Sequence, residues 1–286
     1  MDKLASLSDS VRAVVQDKGT EPPFSGEYDA FGEQGTYLCR LCGLPLFRSL
    51  TKFHSGCGWP SFDEEIKDAV LLEVDTDGRR TEILCSRCRA HLGHVFEGEG
   101  LTDKNIRHCV NSLSLDFVPS LDVTDTAEAI YAAGCFWGVE YYFKQLPGVL
   151  KAESGYIGGH KAHPTYDEIC AGGTGHYEAV RVIYDPSKID YEALTKYFFE
   201  IHDPTQITGQ GPDIGQQYKS AIFYYDDKQK QIANKVIEAL EQMGSKVVTK
   251  LLPVSVFWRA ETYHQDYYAK TGKTPYCHRY TKKFNL

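Results

Sequence analysis

The sequence predicts an α+β protein of two domains, the first mainly antiparallel β and organised by cysteine pairs, the second a two-layer α/β domain around a mixed sheet. Three observations predict it. A chain of 286 residues makes about two domains at the usual size of roughly 150 residues each. Two C-x-x-C pairs, Cys39/Cys42 and Cys85/Cys88, stand in a stretch rich in Gly, Pro and short alternating runs. Strand-like and helix-like patterns alternate only in the second half.

In the first half, Leu4, Leu7, Val11, Val14 and Val15 fall at helical spacing over residues 4–15, and Gly19 closes that helix. From Thr20 to Val118 the texture changes. TEIL before Cys85 and SLSLDFV at 112–118 read as period-two strands. The segment VPSLDVTDT (118–126), with one proline and several small polar residues, reads as a linker. This sets the expected boundaries at 1–118, 119–126 and 127–286.

In the second half, EAIYAAG reads as a strand running into CFWGVEYYFKQL, where Val139, Tyr142, Phe143 and Leu146 share one helical face. AVRVIYD (179–185) is a further strand. Residues 191–201 form a helix capped by Asp190, with Leu194, Tyr197, Phe198 and Ile201 on its buried side. Residues 228–243 form another, stopped at Gly244, and PVSVFW (253–258) reads as a strand.

Charge excludes some function classes. The net charge is −8, with 13 basic and 19 acidic residues up to Ser120 and 18 and 20 beyond it, so the front half, at −6, is a poor partner for nucleic acid. No run approaches the roughly 20 apolar residues of a membrane span. The start MDKLASLSDSVRAVV lacks the basic and apolar regions of a signal peptide, which points to the cytoplasm. Nine cysteines, an odd number without an export signal, point to metal or catalytic use rather than a disulfide framework.

Cys39, Cys42, Cys85 and Cys88 can supply the tetrahedron of four thiolates that zinc prefers. A redox C-x-x-C of thioredoxin type is the competing reading, but it needs one pair at a helix start rather than two pairs. A zinc with four protein thiolates has no open position, so it is expected to hold the fold together and do no chemistry.

The remaining cysteines of the first half stand in chemically suggestive places. Cys57 lies in HSGCGWPSF, where two glycines and a proline force an exposed turn and Trp59 offers a flat apolar surface; read alone, Cys57 is equally a small buried hydrophobe. Cys109 lies in RHCVNS between Arg107 and His108, and positive neighbours favour the thiolate, which is the nucleophile. His91 and His94 in HLGHVF would by themselves be structural residues or zinc ligands. With four cysteines filling the metal site, both histidines are left for acid–base work.

GTEPPFSGEY, CRLCGLPLF, KFHSGCGWPSF, CSRCRAHLGHVF and RHCVNSLSLDF, in this order and spacing over residues 19–118, resemble the signature of methionine sulfoxide reductase B. The resemblance implies that Cys109 attacks the sulfur of methionine-R-sulfoxide, that His91, His94 and Asn111 orient or protonate the oxygen, and that Trp59 packs on the methyl group. It also implies that Cys57 resolves the sulfenic acid as a disulfide.

Cys135, in GCFWG between a strand and a helix, is expected at a helix N-terminus, where N–H groups and the dipole stabilise a thiolate. A cysteine phosphatase has the same geometry, but the Arg-bearing loop that it needs is absent. Phe136 and Trp137 are either core or, beside a nucleophile, the walls of a pocket for a methyl group. GCFWGVE, PTYDEIC, GTGHYEAV, HDPTQITGQGPDIGQQYKSAIF and AETYHQDY resemble methionine sulfoxide reductase A over residues 128–280. The resemblance implies that Cys135 is the nucleophile, Glu178 the acid, Tyr166 and Tyr218 hydroxyl donors to the sulfoxide oxygen, and Asp213 a support for the hydrogen-bond arrangement. Cys277 in TPYCHRY matches the family's recycling cysteine; Cys170 is read as a packed, structural residue and is the alternative partner for Cys135.

The expectation is a bifunctional reductase of methionine sulfoxide, B-type domain first and A-type domain second, with thioredoxin as electron donor on the strength of the resemblance. Two other classes compete: a zinc binding module fused to a redox enzyme, and a thiol peroxidase.

Overall fold

A computed structural model describes residues 3–75 and 78–284. They fall into two compact units, one of Leu7–Thr126 and one of residues 3–6 with 127–284.

In the first unit the helix expected over 4–15 is shorter. Ser8 takes an extended backbone and its Oγ accepts from the Val11 N–H, so α1 runs only over Asp9–Val15 and buries Val14 and Val15. A serine ahead of an acidic first turn is a better cap than an interior helical residue, which is why the apolar spacing of Leu4 and Leu7 does not prevail. Nine strands follow: β1 (Thr36–Cys39), β2 (Pro45–Arg48), β3 (Lys52–Phe53), β4 (Ser61–Phe62), β5 (Val70–Val74), β6 (Thr81–Cys85), β7 (His91–Glu97), β8 (Ile106–Val110) and β9 (Leu115–Val118). They make a three-stranded sheet, β2-β1-β9, and a six-stranded sheet, β3-β4-β8-β7-β6-β5. Every pairing in both is antiparallel. The expected strand SLSLDFV forms only from Leu115, because Ser112–Ser114 tighten into a 3-10 turn.

In the second unit β10 (Ala127–Ala133) leads into α2 (Phe136–Phe143), followed by β11 (Val149–Ile157), α3 (Tyr166–Ala171), β12 (Tyr177–Tyr184) and α4 (Tyr191–Glu200). Then come β13 (Gly209–Gln210), β14 (Asp213–Ile214), β15 (Ser220–Tyr224), α5 (Asp227–Gln242), β16 (Lys250–Pro253), β17 (Trp258–Arg259) and α6 (Tyr267–Thr271). The six-stranded sheet has the order β16-β15-β10-β12-β11-β17, and its one parallel pair, β15 with β16, makes it mixed. Strand alternation divides β10 between two cores. Ala129, Tyr131 and Ala133 face α2, α4 and α5, whereas Ile130 and Ala132 join Ile157, Tyr177 and Phe223 on the opposite face. The segment PVSVFW is not one strand: Pro253 ends β16, and Val254 and Phe257 pack on the second core. Its alternation reflects burial against a sheet rather than pairing within one.

Candidate active sites and metal centre

Both C-x-x-C turns of the first unit fold alike. The Gly43 N–H donates to the Cys39 carbonyl and the Cys39 N–H to that of Leu44; the Arg89 N–H donates to the Cys85 carbonyl and the Cys85 N–H to that of Ala90. Gly43 and Arg89, at matching places, both have positive φ, +74° and +61°. The two turns put all four Sγ atoms within 4.8 Å of one another, with Cys39 3.6 Å from Cys88 and Cys42 3.5 Å from Cys85. Four ionised thiols this close repel unless a cation lies among them, so the donor set fits a metal with thiolate preference.

The second thiol group of this unit is assembled by sheet register. Cys109 on β8 is paired with His94 on β7 and with Ser61 on β4. Gly93 permits the close strand approach: a Cβ there would lie 2.0 Å from the Cys109 carbonyl oxygen. Cys57, from the turn before β4, has its Sγ 3.8 Å from that of Cys109. His91 and His94, three apart on a strand, would ordinarily point to opposite faces. A register shift between Ile83 and Leu84 on β6 brings their rings to 5.4 Å.

Hydrogen bonds orient these rings. His91 Nδ1 lies 2.7 Å from Glu82 Oε1, whose other oxygen accepts from Lys18, and His91 Nε2 is buried without a partner. Burial holds the His91 pKa below its ordinary value against the raising effect of Glu82. His94 Nε2 lies 2.8 Å from Asp75, which also takes Arg80. Asn111 accepts from the Glu21 N–H through Oδ1 and donates to the Leu92 carbonyl, and the Trp59 indole donates to the Glu21 carbonyl. A cleft of about 230 Å³ is lined by Trp59, His94, Phe96, Cys109 and Asn111, among others.

The electrostatics depart from expectation in two ways. His108 is on the opposite side of the strand from Cys109, against the Phe62 carbonyl and Glu65, so it does not activate that thiol. Arg107 donates to Cys57 at 3.5 Å. Burial, then the neighbouring Cys57, push the Cys109 thiol up to about 12 despite Arg107. Burial also pushes Cys57 up, but hydrogen bonds to Ser55, Ser61, the Trp59 backbone and Cys109 outweigh it and leave its pKa lowered. Before substrate enters, the anion is favoured on Cys57.

In the second unit Cys135 is the N-cap of α2 and is buried. Its Sγ, that of Cys277 and a carboxylate oxygen of Asp213 lie within 4.8 Å of one another. The Trp137 N–H stabilises the thiolate in the expected direction. The adjacent Cys277, followed by burial, outweighs it, so the pKa of Cys135 is raised and the resting group is a thiol. Glu178, from β12, is 1% exposed and its Oε2 accepts from the Phe136 N–H at 3.1 Å. Burial first, and then Cys135, hold its pKa well above the ordinary carboxylate value. Burial likewise raises the phenols of Tyr166 and Tyr218; Glu178 adds to both, and Cys170 also raises Tyr166 through a hydrogen bond. Asp213 accepts from the Tyr276 hydroxyl through Oδ1, while its Oδ2 is buried without a partner.

Trp137 is half-buried, stacked on Tyr267 at 3.7 Å, and donates to His264 Nδ1. Phe136 is the more enclosed of the two rings. It is 1% exposed, with its ring against Tyr156 and His264. Cys170 differs from the expected packed residue: it is exposed near the end of α3, where Ile169 takes the buried side instead. Three supports escaped sequence reasoning. Glu261 accepts from the Tyr156 hydroxyl and the Tyr166 N–H, His264 holds the indole, and His278 is buried with Nδ1 3.0 Å from Cys277 Sγ. The signal was present for the first two in AETYHQDY and for the third in the adjacent Cys-His of TPYCHRY.

Paired thiols beside proton-carrying groups, once in each unit, define a thiol-based oxidoreductase with two sites. Over residues 127–285 the chain matches the family described as peptide methionine sulfoxide reductase, and over residues 7–119 the SelR domain, the B-type enzyme. It therefore belongs to the methionine sulfoxide reductases, as a fusion of a B-type unit followed by an A-type unit, which act on the R and S epimers respectively. The MsrA proteins of Thermus thermophilus and Pasteurella multocida are 51% and 50% identical over 150 and 153 residues. These matches span 52% and 53% of this chain and 85% and 88% of those proteins. The structure of Mxr1 from Saccharomyces cerevisiae in reduced form superposes with a TM-score of 0.51 at 35% identity, covering 53% of this chain and 89% of that one. No described helix is long and apolar enough to cross a membrane.

Proposed function

We propose that each unit carries out its reduction through its own thiol pair, with Cys109 and Cys135 as nucleophiles and Cys57 and Cys277 as resolving thiols. The reading is carried by sulfur proximity: 3.8 Å in the first pair, and within 4.8 Å in the second. Cys109 takes the nucleophile's part because it, with Trp59, His94 and Asn111, lines the cleft. His91 lends its buried Nε2 to the same face.

In the A-type unit, Sγ of Cys135 bonds to the sulfoxide sulfur while the Glu178 carboxyl protonates the oxygen, and Tyr166 and Tyr218 donate hydrogen bonds to it. The oxygen passes to Cys135 as sulfenic acid, the thiol proton is conserved in the products, and the thioether leaves. Asp213 aligns the group, and Trp137 flanks the substrate methyl. Cys277 then displaces water from the sulfenic acid to form the disulfide. The B-type unit follows the same course with the opposite epimer. A dithiol reductant of thioredoxin type returns each disulfide to thiols by exchange. That need for a reductant, together with nine cysteines, fits a reducing compartment such as the cytoplasm and a role in repairing oxidised proteins.

Cys39, Cys42, Cys85 and Cys88 would hold zinc, which supplies a cross-link and no chemistry. The domain limits we assign are 1–118 and 127–286, with 119–126 as the connecting segment, although 119–126 packs within the first compact unit and residues 3–6 with the second. The test is a single turnover on each sulfoxide epimer without reductant, followed by peptide mapping. Cys57–Cys109 disulfide after the R epimer and Cys135–Cys277 disulfide after the S epimer are expected. Cys109 joined to a cysteine other than Cys57 would remove the first assignment.

A further inference from the structure

His278 stands next to the resolving thiol and has no part in the scheme above. Its ring is 5% exposed, enclosed by the turn before α2, by residues 202–213 and by its own segment. Nε2 lies 2.6 Å from the Ala133 carbonyl oxygen. A carbonyl oxygen only accepts, so Nε2 carries the hydrogen, and in the neutral ring Nδ1 presents a lone pair. That lone pair meets Cys277 Sγ at 3.0 Å. The contact is therefore a thiol donating to an imidazole nitrogen.

The sequence makes room for this arrangement at Gly138, the second glycine of GCFWG. A Cβ there would sit 2.2 Å from His278 Nδ1, so only glycine lets the ring press against the first turn of the helix that Cys135 caps. One helix end thus positions the nucleophile and seats the imidazole that touches its partner.

We propose that His278 is the general base for the resolving step, taking the proton of Cys277 as its sulfur attacks the sulfenic acid of Cys135. The proposal rests on the assignment of Cys135 as nucleophile and Cys277 as resolving thiol. The Cys277 S–H proton moves to Nδ1, the S–S bond forms and the S–O bond of Cys135 breaks. The departing hydroxide takes the proton back from the imidazolium and leaves as water. The Cys277 sulfur is oxidised, the sulfenic sulfur is reduced, and no outside oxidant enters.

The surroundings keep the base ready. Facing the ring are Cys277 on its own segment, Cys135 at the cap of α2, Asp213 on β14 and His202 beyond α4; Asp203, Arg279 and Lys283 line the adjoining cleft. Burial holds the His278 pKa down to about 4, although the Ala133 hydrogen bond and Asp213 oppose the shift. The ring is therefore neutral across the physiological range, as a base must be.

His278→Gln tests the step, because glutamine retains an N–H for the Ala133 carbonyl and has no basic nitrogen. One turnover on the S epimer should release methionine at the wild-type rate. Disulfide closure at neutral pH should slow by about 10²-fold, leaving a sulfenic acid that a 1,3-diketone traps on Cys135. The deficit should shrink as the pH rises, because hydroxide then takes the thiol proton without help from the ring. Unchanged closure in a folded variant would overturn the proposal, as would a first turnover reduced in parallel with closure.

Should the variant not fold, the wild type decides. Closure independent of pH across the neutral range supports the base, whereas a rate falling about tenfold for each unit that the pH is lowered overturns it. Failure of the underlying assignment reads differently: in the wild type, Cys135 would be joined to a cysteine other than Cys277.

Discussion

The Glu178 carboxyl accepts the Phe136 N–H at 3.1 Å, so the proposed proton donor is fixed to the first turn of the helix that Cys135 caps. Burial, then Cys135, raise the pKa of Glu178, and the proposed role calls for that acid form. Glu178→Gln should lower S-epimer reduction by about 10²–10⁴-fold and leave R-epimer reduction unaffected, as measured with the resolved epimers. The sign for pH follows. A raised carboxyl pKa means that S-epimer reduction is full at low pH and declines as pH rises through the folded value, and the Gln variant should lose that descending limb. Stability has the same sign, because the unfolded chain releases this proton at a lower pH than the folded unit does.

Purified protein should carry about one zinc per chain, held by the two matched turns at Cys39 and Cys85. Cys39→Ser or Cys88→Ser removes a ligand but touches neither Cys57 nor Cys109. Because metal binding to such sites is coupled to folding, either change should release the metal and unfold the B-type unit. Elemental analysis and near-UV circular dichroism would report both effects. A well-folded preparation without metal would refute the assignment.

Much of the A-type fold was legible because its strongest periodic segments are also its most buried. The helix after Asp190 forms over Tyr191–Glu200 with Asp190 as cap, and the strand around AVRVIYD is buried along its whole length. The four-cysteine cluster and the close approach of Cys57 to Cys109 were legible through spacing and motif. Less visible was what depends on pairing across strands. The shift at Ile83/Leu84 that unites His91 and His94 leaves no mark on either residue's own periodicity. The side of β8 that His108 takes likewise follows from alternation and not from adjacency in RHC. Cys170 is exposed because a single residue step, about 100° around the helix, separates it from the buried Ile169.

Cys57→Ser should separate the two stages of R-epimer reduction. The first stoichiometric turnover should survive, since Cys109 remains in the cleft, while reductant-dependent recycling should fall. Activation also changes. Removing Cys57 takes away the second-largest influence holding the Cys109 pKa near 12, so the variant's first turnover should be maintained to lower pH than the wild type's. Rapid-quench measurement of methionine formed against pH would test this, and a first turnover lost together with recycling would contradict it.

The last expectation concerns the independence of the two chemistries. Cys57, Cys109, His91 and His94 all belong to one compact unit, and Cys135, Glu178, Tyr166, Tyr218 and Cys277 all belong to the other. In the proposed scheme each set has its own nucleophile, proton carriers and second thiol, so no reacting group has to be borrowed. Cys109→Ser should abolish reduction of the R epimer and leave the S epimer largely unaffected, and Cys135→Ser should do the reverse. A change of more than about tenfold in the untouched activity, about 1.4 kcal/mol, would mean that one unit positions the other's site. A single composite site predicts instead that either substitution destroys both activities. Assay of each variant against each resolved epimer, with saturating reductant, distinguishes these outcomes, and loss of both activities from one substitution in a folded protein would overturn the two-site reading.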